Sequence, residues 1–387
     1  MDKFYFNEEH VLFRDSLRDF LKTEAIPHFD KWEEEGKIDR ALFRKMGEMG
    51  FLGLEVDEKY GGMGLDFMYS TILCDELGYT GSGGLATTVS AHVYLAMNYL
   101  IHAGTPFIKE KYLVPSVAGE KVGSLAMTEP FAGSDLKGIR TTAKREGDYY
   151  IVDGSKTFIS NGHYGDYTVA AVKTGEKQIS MLVIDLDAEG VSTSKLDKVG
   201  IRSSDTAEIS FDGVKVPVEN LLGEEGKGFY YMMESLQVER LTLAIANMGS
   251  MKYALDITLQ YISERKAFGK TINQFQVQRH KIAEMASEVE AWGTFCYHTC
   301  KRLTEGEHVV KECSMLKYRT SDLLNEVVYG CLQMFGGYGS MEEYPIGKMH
   351  RDVRVNPIYG GTSEIMKEII AKMVIDGVSY KPAYAKS

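Results

Sequence analysis

Three segments of the chain combine residue types that could hold a flat ligand bearing phosphates. In Lys156–Gly162, Phe158 and Ser160 stand two residues apart, so both side chains lie on one face if the segment is a strand. An aromatic ring beside a hydroxyl group suits a heteroaromatic cofactor. In Leu125–Asp135, small and hydroxyl residues allow backbone N–H groups to approach a ligand closely. In Glu264–Lys270, clustered cations at the predicted end of a helix suit a diphosphate. Each segment alone also fits a structural role, as a half-buried strand, a turn or a helix cap.

The elements that must position these segments fall into three zones, which predict domains at residues 1–121, 122–227 and 228–387. Helical periodicity predicts helices in the first zone at Arg40–Met49, Phe67–Leu77, Leu85–His102 and Pro106–Ser116. Short β-rich runs predict strands in the second at Arg140–Arg145, Tyr149–Asp153, Tyr167–Val172, Ile179–Ile184, Val191–Lys195 and Glu208–Phe211. Long helices are predicted in the third at Phe229–Gln237, Leu241–Glu264, Gln276–Thr304, Val309–Gln333 and Thr362–Ile375. Closely spaced strands with no helices between them indicate an antiparallel sheet or barrel, so we predict an α+β multidomain fold.

Composition and charge exclude several classes of protein. The 387 residues carry 55 Asp and Glu against 44 Lys and Arg, and the net charge of −11 argues against nucleic-acid binding. No uncharged apolar window reaches the length of a membrane span, so none is predicted. The acidic N-terminus has neither signal nor transit architecture, so we expect a cytoplasmic protein. The five cysteines are odd in number and form no C-x-x-C, which predicts free thiols in a reducing compartment.

The common motifs of other cofactor and catalytic classes are missing from the sequence. It contains no G-x-G-x-x-G for a nicotinamide cofactor and no G-x-x-x-x-G-K-[ST] for a nucleotide triphosphate. It has no G-x-S-x-G nucleophile elbow. No two histidines stand as H-x-x-x-H, so no metal site is predicted.

The three segments occur in this order and are followed by Gln333–Gly339 and Ile358–Ile365. Together these five motifs resemble the acyl-CoA dehydrogenase family over nearly the whole chain. The resemblance implies an N-terminal all-α domain, a middle β domain and a C-terminal four-helix-bundle domain, with FAD bound between them. It also implies a homotetramer whose dimer interface completes the flavin site, and electron-transfer flavoprotein as the electron acceptor.

The resemblance assigns roles to individual residues. Flavin contacts would come from Leu125, Met127, Thr128, Gly133, Ser134, Phe158, Ile159 and Ser160, with Phe158 against the isoalloxazine and Ser160 hydrogen-bonded near its N5. The FAD diphosphate or adenosine would be bound across the dimer interface by Arg265, Phe268 and Gln276. The remaining FAD contacts would come from Gln333, Phe335, Gly336, Gly337, Thr362 and Glu364. The acyl-CoA substrate would be held by Ser134, Gln237, Arg240 and Gly361, with Thr87, Thr88 and Ala91 along the acyl cavity.

The catalytic base is predicted at an unusual position. The reaction needs a carboxylate that removes the α-proton of the thioester, and a desolvated pocket supplies the raised pKa. In many family members this Glu directly precedes the Gly-Thr-Ser near the C-terminus, but here that position is Gly360. Either catalysis has been lost or the base lies elsewhere. The segment Gln237–Leu241 resembles the isovaleryl-CoA and long-chain branches, in which a Glu immediately before an Arg is the base, so we predict Glu239.

The resemblance also bears on the substrate. The runs Tyr359–Glu368 and Phe229–Met233 resemble the long-chain branch. Small residues at positions 87, 88 and 91 favour a deep tunnel and a medium-to-long acyl chain. A short branched, isovaleryl-like substrate is the runner-up within the class. Two further functions fit the same residues, namely an acyl-CoA oxidase and a catalytically silent homologue that binds acyl-CoA and FAD.

Overall fold

The computed structural model of the protein describes residues 3–380, which run from helices through a sheet to helices again. The side chain of Asn7 accepts a hydrogen bond from the backbone N–H of His10 and caps the first helix. The N-terminal helices are α1 (Glu8–Glu24), α2 (Phe29–Glu35), α3 (Arg40–Glu48), α4 (Phe67–Tyr79), α5 (Gly83–Ser90), α6 (Asn98–Ala103), α7 (Pro106–Ile108) and α8 (Val114–Val117).

Two stretches predicted as single helices each contain a wider π-helical part. The predicted helix Leu85–His102 is α5, a π-helical segment Ala91–Met97 and α6 in succession. The predicted helix Pro106–Ser116 is likewise divided by a π-helical segment, Lys109–Leu113. Hydrophobic periodicity does not distinguish the two helix types over such short lengths. π-Helical turns occur often at functional sites, and Ala91 faces the cavity described below.

The middle of the chain forms an eight-stranded sheet from the strands β1 (Gly123–Ala126), β2 (Thr142–Glu146), β3 (Tyr149–Ser160), β4 (Tyr167–Gly175), β5 (Gln178–Asp185), β6 (Val191–Lys195), β7 (Thr206–Pro217) and β8 (Leu221–Leu222). Their order is β6-β7-β3-β2-β4-β5-β8, with β1 paired to β4. Most pairs are antiparallel, as predicted, but β4 pairs in parallel with both β1 and β2. The predicted strands at 149–153 and 208–211 are longer in the structure.

The sheet is buried on both faces. Successive residues of a strand point to opposite sides of the sheet, and on the central strands both sets of side chains lie in a core. On β4, Ala170 and Val172 pack into a core within the β domain. Val169 and Ala171 of the same strand join a second, larger core that also includes residues of the helices before and after the sheet. The sheet is thereby packed directly against the helices that carry the site.

After the sheet, the predicted helices Phe229–Gln237 and Leu241–Glu264 are one 37-residue helix. Helix α4 lies unusually close to it, since a Cβ on Gly78 would stand 2.0 Å from the carbonyl oxygen of Ala246. The helix at Val310–Phe335 packs against the helices at Gly228–Glu264, Gln276–Thr304 and Ser363–Val374. The elements are α9 (Gly228–Glu264), β9 (Lys266–Ala267), β10 (Lys270–Thr271), α10 (Gln276–Thr304), α11 (Val310–Phe335), α12 (Pro345–Val353) and α13 (Ser363–Val374).

All five cysteines lie within the described residues, where they are buried and form no disulfide bond. Within residues 3–380, no helix has both the length and the apolar character needed to cross a membrane.

Candidate functional site

A cavity of about 120 Å³ lies between α5, α9, α12 and the loop that follows α12. It brings together Glu239, Ser160, Thr87, Ala91 and Gly360, which the sequence placed near the reaction centre from four distant segments. Its wall is formed by Gly81, Gly83, Ala86, Thr87, Ser90, Ala91 and Leu95, by Ser160 and Ile201, by Glu239, Thr242, Leu243, Ala246, Asn247 and Ser250 of α9, and by Leu324, Met349, Asp352, Val353, Asn356, Tyr359 and Gly360.

Glu239 is a buried carboxyl group within α9, with 7% of its surface exposed. Desolvation by the surrounding residues raises its pKa from 4.5 to about 7, although the adjacent Arg240 and a hydrogen bond from Tyr99 act in the opposite direction. The Tyr99 hydroxyl donates to Oε1 of Glu239 at 3.3 Å. A carboxyl group with this pKa is half ionised near neutrality and can accept a proton there.

Gly360 and Gly361 form a turn beside this carboxyl group. Both have a positive φ, 63° and 96°, which glycine adopts without strain. Gly360 lines the cavity, and a Cβ built on Gly361 would stand 3.7 Å from Nη2 of Arg240. Arg240 is buried, and its Nε has no hydrogen-bond partner among the described residues.

Lys317 of α11 holds this turn in place. The Lys317 side chain is buried, and its Nζ donates to the carbonyl oxygen of Asn356 at 2.9 Å and to that of Gly361. The amide of Asn356 in turn donates to the side chain of Asn247 at 2.6 Å. A buried cation therefore holds one wall of the cavity in place through backbone carbonyl groups.

Several residues of the cavity were not predicted. Ala246 and Asn247 follow Glu239 at seven and eight residues along α9, a spacing that helical periodicity alone could have indicated. Asp352 lacked such a signal. Its carboxylate accepts a hydrogen bond from the backbone N–H of Ile201 at 2.5 Å, and burial raises its pKa to about 7. Its position depends on a contact between segments 151 residues apart.

The two segments predicted to contact the flavin lie side by side in the β domain. Thr157 donates its backbone N–H to the carbonyl oxygen of Thr128 at 2.9 Å. Phe158 is 69% exposed with a φ of 60°, and Ser160 reaches the cavity. The side chain of Ile159 is in the β-domain core, so it presents only backbone to a ligand. In the first segment, Leu125 is buried, Met127 and Thr128 are half-buried, and Gly133 and Ser134 are exposed.

A second cavity, of about 500 Å³, lies where α9 and α11 end. Five residues predicted to bind the rest of FAD line it, namely Arg265, Gln333, Phe335, Gly336 and Gly337. Phe335 stacks on Tyr261 with ring centroids 4.2 Å apart, and the Arg265 guanidinium lies over the ring of Tyr338. Phe268 and Gln276 are exposed and lie outside this cavity.

The remaining predicted residues are more dispersed. Thr362 caps α13 through its hydroxyl, which accepts from the backbone N–H of Ile365, and Glu364 is exposed in the first turn of that helix. Gln237 is buried on α9 but does not line the cavity, and its Oε1 has no partner among the described residues. Ser134 lies outside the cavity as well.

The residues present fit a flavin dinucleotide. Exposed Phe158 and Phe268, 69% and 96% accessible, offer aromatic surface that the chain itself leaves uncovered. At Gly336 and Gly337, an added Cβ would meet nothing within 4 Å, so the backbone there is open to close approach by a ligand. Among residues 3–380, no group of three His, Cys, Asp or Glu side chains could hold a metal ion.

Comparisons with known proteins agree with this architecture. Models of the acyl-CoA dehydrogenase N-terminal, middle and C-terminal domains match residues 7–120, 124–214 and 226–375. The long-chain specific acyl-CoA dehydrogenase of Mus musculus mitochondria is 41% identical over 382 residues, covering 96% of this chain and 87% of that protein. Subunit CarC of the caffeyl-CoA reductase–Etf complex of Acetobacterium woodii is 38% identical, covering 96% and 99%. The crystal structure of an acyl-CoA dehydrogenase from Geobacillus kaustophilus is 45% identical, with a TM-score of 0.92 over 96% of this chain and 99% of that one.

Proposed function

This chain belongs to the acyl-CoA dehydrogenase family, FAD-dependent enzymes that act on a CH–CH bond of acyl-CoA thioesters, and we propose that Glu239 is its catalytic base. The observation that carries the proposal is the buried carboxyl group of Glu239, which faces a cavity whose wall includes Gly360 in the position of the missing base. Its raised pKa matches the requirement for a proton acceptor near neutral pH.

The reaction that follows from this assignment is α,β-dehydrogenation of an acyl-CoA to the trans-2-enoyl-CoA. Glu239 removes the α-proton of the bound thioester, while Tyr99 orients the carboxylate through its hydrogen bond. When bound, FAD supplies the acceptor for the hydride that leaves the β-carbon. Leu125, Met127, Thr128, Phe158 and Ser160 would hold its ring system, and Arg265 with Gln333–Gly337 would hold its ADP portion. Burial keeps the Glu239 carboxyl group away from bulk solvent, and the resulting desolvation raises its pKa toward the value that a base needs near neutrality.

The shape of the cavity supports a medium-to-long acyl chain. Its wall on α9 runs from Glu239 to Ser250, eleven residues along one helix face, which spans about 16 Å at ~1.5 Å per residue. A cavity wall of this length favours a medium-to-long acyl chain over a short one. The small volume indicates a narrow channel, which suits an unbranched chain more than a branched one.

Electron-transfer flavoprotein is the electron acceptor that we propose. The support comes from CarC, a relative 38% identical to this chain that belongs to a complex with Etf. We also propose a homotetramer, in which exposed Phe268, between β9 and β10, and exposed Gln276, at the start of α10, contact a neighbouring subunit and its FAD. The cytoplasmic location stays a prediction, because the long-chain relative is a mitochondrial enzyme.

The proposed function is tested by adding straight-chain and branched acyl-CoAs to the anaerobic holoenzyme while the flavin absorbance is followed. We expect bleaching by unbranched acyl-CoAs, with the highest kcat/KM at medium to long chain length. Strongest bleaching by isovaleryl-CoA would favour the branched substrate instead. Absence of bleaching by any acyl-CoA would overturn the proposal in favour of a silent binding homologue. Rapid aerobic peroxide formation without an added acceptor would indicate an oxidase.

A further inference from the structure

We propose that the buried ion pair between Lys156 and Glu129 is a joint that positions the two flavin-contacting segments of the β domain relative to each other. The inference rests on the proposed assignment of Leu125–Ser134 and Phe158–Ser160 to the flavin. Lys156 and Glu129 are positioning residues in this role, because neither reaches the cavity.

The first support is the number of elements that the pair connects. Lys156 projects from β3 with none of its side chain exposed, and its Nζ donates to Oε1 of Glu129 at 2.8 Å and to the carbonyl oxygen of Met127 at 3.2 Å. Both acceptors lie in the segment that follows β1. One buried ammonium group thus links the backbone and a side chain of the first flavin segment to the strand that carries the second.

Glu129 extends the joint to a third segment. Its carboxylate accepts hydrogen bonds from the backbone N–H groups of Arg140, at 2.5 Å, and Thr141, at 3.0 Å, at the entry to β2. Its own backbone pairs in both directions with Ala132, which closes the loop between residues 129 and 132. The hydrogen bonds of the carboxylate and the closed loop therefore fix the position of the backbone that leads into Gly133 and Ser134.

The second support is the position of Lys156 at the end of regular pairing in β3. Lys156 pairs with Ile209 of β7, and pairing resumes only between Ile159 and Ala207. Two residues of β3 stand opposite one of β7 in this interval, which is a β-bulge. Phe158, with a φ of 60°, lies inside the bulge. A bulge changes the direction of a side chain and removes ladder hydrogen bonds between the strands. The ion pair therefore stabilises β3 at the point where its pairing with β7 is interrupted.

The electrostatics make the two residues interdependent. Burial lowers the pKa of Lys156 to about 8, whereas Glu129 acts in the opposite direction. Burial alone would raise the pKa of Glu129, but the hydrogen bond and charge of Lys156 and the N–H groups of Thr141 and Arg140 lower it. Both groups are therefore charged at neutral pH, and removal of one leaves the other as an unpaired charge in a buried site. A single substitution would therefore lower the local stability and also disturb the flavin geometry, and the two effects must be measured separately.

The double variant separates the two roles. We would compare Lys156→Met, Glu129→Gln, the double variant and Lys156→Arg with the wild-type holoenzyme. Lys144→Met is the control, because Lys144 belongs to the same domain and pairs with a carboxylate, Glu146, at 2.8 Å, but this ion pair is exposed and joins two residues of one strand, β2. The measurements are the rate of FAD release on dilution, from flavin fluorescence, the visible flavin spectrum, and the melting temperature.

We expect each single variant to release FAD at least tenfold faster, with an altered flavin spectrum. The double variant should recover much of the melting temperature, because no buried charge is unpaired, yet still release FAD at least tenfold faster. Lys156→Arg should fall between wild type and Lys156→Met, and Lys144→Met should keep the wild-type release rate. Recovery of FAD retention together with the melting temperature would show a purely structural pair and overturn the proposal, as would unchanged release in all variants. Bleaching of wild-type flavin by acyl-CoA tests the proposed function separately, since FAD release requires no substrate.

Discussion

The hydroxyl group of Tyr99, in α6, donates a hydrogen bond to the carboxylate of Glu239, in α9, across 140 residues of sequence. Both side chains are buried, so the bond is shielded from solvent. A hydrogen bond donated to a carboxylate favours the ionised form and lowers its pKa. Tyr99 thus offsets part of the effect of burial on Glu239 and keeps the group able to ionise near neutral pH.

The pH dependence of the reaction should report this relationship. Since the pKa of Glu239 is about 7 and the base must be ionised, kcat/KM should rise as pH increases through 7 and level off above it. In Tyr99→Phe the bond is absent, so the rising limb should move to higher pH. The check is a pH profile of flavin reduction for both proteins. A limb that stays in place in Tyr99→Phe would contradict the assigned bond.

Replacement of Glu239 by Gln should remove the base and little else. We expect FAD to remain bound and flavin reduction to slow by ~10²–10⁴, the usual contribution of a general base. Glu234→Gln is the matched control, since it makes the same change on the same helix five residues away, outside the cavity wall. Stopped-flow measurement of flavin bleaching compares the two. Near-normal bleaching in Glu239→Gln would exclude the assignment.

The same carboxyl group should link stability to pH. Its folded-state pKa of about 7 exceeds the ordinary value of 4.5, so the folded protein retains the proton that the unfolded chain has lost. Stability therefore falls as pH rises from about 4.5 to 7, and this contribution is fully lost above 7. Relative to wild type, Glu239→Gln should gain melting temperature at pH 8 but not at pH 4. An equal difference at both pH values would show that the carboxyl group has an ordinary pKa.

Chain-length preference should depend on the small residues of α9 that face the cavity. Ala246 lies seven residues beyond Glu239, about 10 Å along the helix. In Ala246→Leu the larger side chain should block the channel, so kcat/KM should fall for dodecanoyl-CoA and remain close to wild type for butyryl-CoA. Overpacking typically costs ~1–3 kcal/mol, so the melting temperature is measured alongside. An equal fall for both substrates would place the acyl chain elsewhere.

Lys317 should stabilise the turn at Gly360 and Gly361, in which Gly360 occupies the position of the usual base. Loss of its ammonium group in Lys317→Met would leave the carbonyl oxygens of Asn356 and Gly361 without their donor. A buried polar group that loses its partner costs ~1–3 kcal/mol, so for two carbonyl groups chemical unfolding should show a loss of about 2–6 kcal/mol. We expect a higher KM for acyl-CoA as the turn loosens. Lys22→Met, which changes an exposed lysine of α1, should be neutral in both measurements.

Sequence periodicity and motif order indicated most of the fold and many of the site residues. The long helices of the last zone and the positions of most strands were predicted from the residues alone. Three features were not. The single helix α9 was divided at residues 238–240, because the polar Glu239 and Arg240 interrupt its apolar pattern. The parallel pairing of β1 and β2 with β4 depends on partners distant in sequence. The π-helical turns at Ala91–Met97 have no signature in hydrophobic spacing.

The site divides in the same way. The sequence by itself determined that Gly360 cannot be a base and that Glu239 precedes an arginine, because both are matters of residue type and order. Only the tertiary structure decided that these two residues face one cavity, that Tyr99 reaches Glu239, and that Lys317 supports the turn at Gly361. The reason is physical: the raised pKa of Glu239 comes from desolvation, and desolvation depends on every chain segment packed around the carboxyl group.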